Sequence, residues 1–100
     1  SAERTAQGFH TLKRLARSVR SPQDGKAAEE TLSLLERHAE ERIEAFGPRH
    51  IGMMMCAYAA LRRAPRGGLL ALVEQQACAQ MDSYDARATA NMVWACATLG

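Results

Sequence analysis

Cations recur at set intervals in this chain. Arg49 and Arg87 lie 38 residues apart, Arg62, Arg63 and Arg66 crowd one short stretch, and Lys13, Arg14, Arg17 and Arg20 follow one another at one-, three- and three-residue steps. A guanidinium at a helix start, beside backbone N–H groups that lack helical partners, suits a phosphate oxygen. The competing reading for each is a solvated arginine or an intramolecular ion pair. The 62–66 stretch has no acid near it in sequence, and Gly67-Gly68 follows it, so its bases are candidates to wrap a nucleic-acid backbone. They are equally placed to meet the carbonyl end of the preceding helix, which favours cations. Lys13, Arg17 and Arg20 share one helical face, with Arg14 alongside. Asn91 is of a type that reads a base edge, and His50 of a type that bonds or stacks on one; a satisfied polar group at a helix end is the alternative for both.

The residues do not assemble a reaction centre. His10, His38 and His50 have no mutual spacing for a metal. Cys56, Cys78 and Cys96 form no CxxC pair, and their odd number argues against a disulfide framework and a zinc site. A reducing compartment is the simple reading of free thiols. No nucleophile–base pair and no glycine-rich phosphate loop is present. The chain therefore reads as non-enzymatic, with no cofactor, no metal and no small-molecule substrate. No apolar run approaches the length of a membrane span; the longest, Ile51 to Leu61, belongs to a core helix.

The net charge of +2 says little, but its distribution says more. Residues 1–26 are basic, 27–48 acidic, 49–68 basic without a single acid, and 69–100 mildly acidic. Residues 1–20 hold one acid, Glu3, a composition shared with organelle transit peptides, yet their apolar spacing favours an ordinary amphipathic helix.

The elements that must position these cations are helices. Ala and Leu dominate the apolar content and aromatics are few, which favours helix packed closely on helix. Five are expected. The first spans about 4–20, with Phe9, Leu12, Leu15, Ala16 and Val19 on one stripe. A break falls at 21–25. The second spans about 27–45, with Leu32, Leu35, Ala39, Ile43 and Phe46 inward and its acids outward. The third, about 49–64, follows Gly47-Pro48 and is apolar nearly all round, so it belongs between neighbours. Met53, Met54 and Met55 read as soft core packing within it. The fourth spans about 69–82, with Leu69, Leu70, Leu72, Val73, Ala77 and Met81 apolar. The fifth spans about 86–99, with Asp85 as its N-cap and Gly100 as its C-terminal glycine. Trp94 stands at core spacing with Ala95 and Leu99 and is expected to pack inward.

Residues 32–61 laid over 70–99 match without a gap. Leu32, Leu34, Glu36, Ala39, Arg49, Met54, Ala57, Ala59 and Leu61 recur at Leu70, Leu72, Glu74, Ala77, Arg87, Met92, Ala95, Ala97 and Leu99. The period is 38 residues, and it carries turn residues as well as helix faces, so it is a repeat rather than shared helical periodicity. The expected fold is all-α, an α-solenoid segment of stacked helix-turn-helix repeats with about five helices. Residues 1–26 are a basic helix, a degenerate or capping half-repeat, and a linker. Residues 27–66 are a first, degenerate repeat, and 67–100 a second. The outer face of the last helix then needs a cover, from further sequence or another molecule.

The string Asn91-Met92-Val93-Trp94-Ala95-Cys96-Ala97-Thr98-Leu99-Gly100, closing a 38-residue helical pair, resembles the second helix of the octotricopeptide repeat. Residues 31–64 depart from that pattern: Cys56 stands where the family has tryptophan, Met53 where it has asparagine, and Gly47-Pro48 enters the turn. The resemblance covers about two-thirds of the chain. It implies a modular RNA binder of mitochondria, or alternatively of plastids. Such a protein serves RNA stability, processing or translation, or sits on ribosomal RNA as a structural part of a mitochondrial ribosome. Its implied partners are RNA and neighbouring proteins or the rest of a longer solenoid. The rival reading is a protein–protein scaffold that touches no RNA. The RAP domain of some relatives is not seen.

Overall fold

A computed structural model describes residues 1–16 and 22–99. Among them the fold is all-α, with α1 (Ala2–Ala16), α2 (Pro22–Arg42), α3 (Pro48–Leu61), α4 (Leu69–Ala79) and α5 (Ala86–Leu99). Two short 3₁₀ turns, Ile43–Ala45 and Met81–Ser83, extend α2 and α4. Arg17, Arg20, Val19 and Gly100 lie outside the described residues.

The backbone repeats with the period of the sequence. Shifting α3 by 38 residues gives the bounds of α5, and the same shift carries one 3₁₀ turn onto the other. The residue leaving each turn is extended in the same way, Phe46 at φ −79°, ψ 122° and Tyr84 at φ −82°, ψ 116°. Packing follows the order of a stack: α3 lies between α1 and α5, while α2 packs on α1 and touches α4. The molecule measures 43 × 25 × 21 Å, long in one direction. This packing is compatible with a solenoid segment.

Sequence accounts for most boundaries. Pro48 opens α3, where its missing N–H is no loss, and Asp85 Oδ1 accepts from the Ala88 N–H at 2.8 Å to cap α5. Of the break expected at 21–25, residues 22–25 belong to a helix and Ser21 lies outside the described residues. Pro22 begins α2, and Gln23, Asp24 and Gly25 are already helical, because a proline at the first position and an acid in the first turn both favour a helix start. Gly8 has a packing reason: a Cβ there would stand 2.6 Å from the Leu35 side chain, so α1 and α2 approach closely at this point. Arg62 ends α3 in the left-handed region (φ 56°), an unusual post for a residue with a side chain.

The core runs through Phe9, Leu12, Leu32, Ala39, Ile43, Phe46, Ile51, Met54, Met55, Ala57, Tyr58, Leu69, Val73 and Ala95. Phe9 and Tyr58 meet at 5.5 Å between ring centres, joining α1 to α3. Three expectations fail. Leu15 is 59% exposed, because α1 turns Ala2, Thr5, Ala6, Phe9 and Leu12 inward and Leu15 falls off that stripe. Met81 and Leu70 are exposed although they belong to the apolar pattern of α4. Glu36, assigned to a solvated acidic face, is buried.

Glu36 is held by donors that match its burial. The Tyr58 hydroxyl donates to Oε2 at 2.6 Å, the Arg66 backbone N–H to the same oxygen at 3.2 Å, and the Arg66 guanidinium to Oε1 through Nε and Nη2 at 3.2 and 3.1 Å. Burial first, and then this carboxylate, push the Tyr58 hydroxyl well above its ordinary pKa. Arg66 also donates to Ser33 Oγ at 3.1 Å, and Glu29 pairs with both Arg63 and Arg66. The α3–α4 turn is thereby strapped across α2. Removing one donor from a buried carboxylate leaves it under-satisfied, so Tyr58→Phe should lower stability by about 1–3 kcal/mol in urea unfolding.

Candidate nucleic-acid interface

One face of the stack gathers cations from three helices. A groove of about 750 Å³ is lined by Gln7, His10 and Lys13 of α1, by Arg49, Gly52, Met53 and Cys56 of α3, and by Arg87, Ala88 and Asn91 of α5, with Pro48, Ser83 and Asp85 at its edge. The helical repeat explains the gathering. Positions 49, 53 and 56 make one stripe on α3, and their 38-residue counterparts 87, 91 and 94 make the same stripe on α5. Gly52 faces Asn91 across the two helices, with Asn91 Cβ at 3.9 Å from where a Cβ would stand, so an alanine would fit there in ordinary contact.

The charges are not all equally available. Arg49 Nη1 donates to Glu3 Oε2 at 2.7 Å, and its side chain stays 64% exposed, so part of its guanidinium still faces solvent. Glu3 also accepts from Gln7 at 3.2 Å and meets His50 Nε2 at 2.8 Å. Hydrogen bonds from Arg49, then Gln7, then His50 lower the Glu3 carboxyl to about 2. No ion pair holds Lys13 or Arg87 among the described residues. Burial pushes the Cys56 thiol up, against the opposing pull of the Lys13 charge.

The sequence-derived candidates divide accordingly. Lys13, Arg49, Arg87 and Asn91 share the groove. Arg14 is exposed on α1 and is not part of the groove lining, and Arg17 and Arg20 lie outside the described residues. His50 is spent on structure: Nδ1 accepts from the Gly47 N–H at 3.1 Å, Nε2 faces Glu3, and the ring stands edge-on to Phe46 at 5.9 Å. The 62–66 turn is corrected most sharply. It has no acid in its own segment, but the fold brings Glu29 and Glu36 of α2 onto Arg63 and Arg66. Arg62 is exposed, makes no ion pair among the described residues, and stands at the opposite end of α3 from Arg49. Sequence reasoning missed His10 and Gln7, whose signal was their place on α1 one and two turns before Lys13 and Arg14. It also placed Trp94 in the core, whereas Trp94 is 52% exposed.

Among the described residues no three of His, Cys, Asp and Glu gather as metal ligands would, and no helix is long and apolar enough to cross a membrane. No protein-family model matches the chain, and neither a curated protein nor a solved structure matches it.

The Glu3 cluster makes the α1–α3 contact dependent on pH. A carboxyl whose folded pKa lies below its unfolded value of 4.5 stabilises the fold above that value and loses this contribution as pH falls through about 2. Thermal unfolding should therefore show the native chain losing stability between about pH 4.5 and 2 more steeply than Glu3→Gln, and equal slopes would remove Glu3 from the account.

Proposed function

We propose that this chain is a non-catalytic RNA-binding module, holding RNA by its phosphates in the groove across α1, α3 and α5. The observation that supports the reading is the convergence of Lys13, Arg49 and Arg87, from the three adjacent helices α1, α3 and α5, on one face that also carries His10 and Asn91. Repetition matters here. One exposed arginine is unremarkable, but the same register position filled by a cation in two units and joined by a lysine from a third helix gives a track of positive charge. Its contacts are mainly to phosphates, which position RNA, with Asn91 as an amide suited to a base edge, whereas the Gln7 amide already donates to Glu3. The resemblance of 69–100 to the octotricopeptide repeat supports an organellar setting, mitochondrial before plastid. There the module serves RNA stability or processing, or rests on ribosomal RNA within a mitochondrial ribosome.

A second reading, a protein–protein scaffold, is favoured by a different surface. Leu70, Met81 and Val93 are exposed by 37, 67 and 62%, while their counterparts Leu32, Ile43 and Met55 are buried to 2, 7 and 2%. That bare face suits a further helical unit or a neighbouring protein. It lies apart from the groove stripe, so the two readings are separable.

The test is RNA affinity against salt concentration. The logarithm of the association constant should fall linearly with the logarithm of salt, and Arg87→Ala should reduce that slope by about one. Glu3→Gln should act in the opposite sense and tighten binding, since it releases Arg49 from its carboxylate. A salt-independent affinity that ignores both substitutions would overturn the proposal.

A further inference from the structure

We infer that Trp94 is a stacking platform for an unpaired base, so that the groove takes single-stranded RNA in preference to duplex. This rests on the groove reading above and names the substrate class for it.

The register carries the inference. Arg87, Asn91 and Trp94 are spaced by four and three residues on α5 and therefore fall on one face of that helix. Arg87 and Asn91 line the groove. The counterpart of Trp94 in the preceding unit is Cys56, which also lines the groove and is half-buried there. Trp94 itself lies one turn beyond the lining residues of α5, on the same helix face, and offers a 52% exposed indole there.

The bare end of the stack accounts for only part of this exposure, because Cys56, flanked on both sides, is still part-exposed. Leu70, Met81 and Val93 correspond to residues that a neighbouring helix covers, so the next unit of a stack would cover them too. Trp94 corresponds to a residue that stays on the groove side when its unit is flanked on both sides, as α3 is by α1 and α5. A cap on the bare end would cover part of the indole, as Cys56 is part-covered, and leave the rest open on that side.

The stripe then presents a cation, an amide and an aromatic ring in succession. These are the groups that meet a phosphate, a base edge and a base face of an unpaired nucleotide. A duplex keeps its bases stacked on each other and offers no free face to the indole.

Trp94 is the single tryptophan of the chain, so its emission reports stacking directly. The experiment titrates the chain at low salt with a fluorescently labelled oligouridine, and separately with a labelled RNA duplex of the same length. RNA anisotropy and Trp94 emission are both recorded. The expected result is binding of the single strand with quenched emission, and little quenching by the duplex. Trp94→Ala should weaken single-strand binding by about five- to hundredfold. Trp94→Phe should restore most of that loss, with melting temperatures confirming that both variants fold. The wild-type quench decides the matter even where Trp94→Ala does not fold. Single-strand binding that leaves the emission unchanged overturns the stacking role while sparing the groove. Absence of binding to either RNA overturns both.

Discussion

α3 carries more apolar surface than one neighbour can cover, and the rest of the molecule is arranged around that excess. Ile51, Met54, Met55, Ala57, Tyr58 and Ala59 are all buried, and together they occupy most of the helix circumference. Covering them takes α1 on one side and α5 on the other. Once three helices lie abreast, the few α3 positions not committed to packing, among them Arg49, Met53 and Cys56, are forced onto a common outer face. That face joins its counterparts on α1 and α5, and the groove is the result.

The second helices of the repeats set the groove, and the first helices hold it in register. Glu36 does this most directly, fastening α2 to Tyr58 of α3 and to Arg66 at the entrance to α4. Gln76 of α4 and Gln80 just after it add a lesser tie, donating to the Phe46 carbonyl at 3.0 and 2.9 Å. The basic turn at 62–66 is therefore a strap within the protein. Its two paired arginines contribute to position, and the cations that line the groove are Lys13, Arg49 and Arg87.

Much of this was legible in the sequence, and what was not has physical reasons. The 38-residue period located both helical pairs because it depends on apolar spacing and turn residues, which are local properties. It also predicted that Arg49 and Arg87 are equivalent, and the groove lining contains both. Pairing between distant residues was not legible. Arg63 and Arg66 looked unpaired because their acids lie 30 or more residues earlier on α2; Glu36 does fall on the inward stripe of Leu32 and Ala39, but its acidic type argued for solvent and its partners were out of sight. Trp94 misled for a related reason: aromatic type and helical spacing suggest a core position, and only the adjacent helix decides which stripe is covered. The first unit, residues 27–66, supplies most of the core, and the second has Leu70, Met81 and Val93 uncovered.

The account stands on the location of the ligand face. Backbone amide resonances of the isotope-labelled chain, followed while a short RNA oligonucleotide is added at low salt, locate it residue by residue. The account predicts shifts gathered at Lys13, Arg49, Gly52, Arg87, Ala88 and Asn91. Shifts confined to the turn from Arg62 to Arg66, or to the face of Leu70, Met81 and Val93, would contradict it.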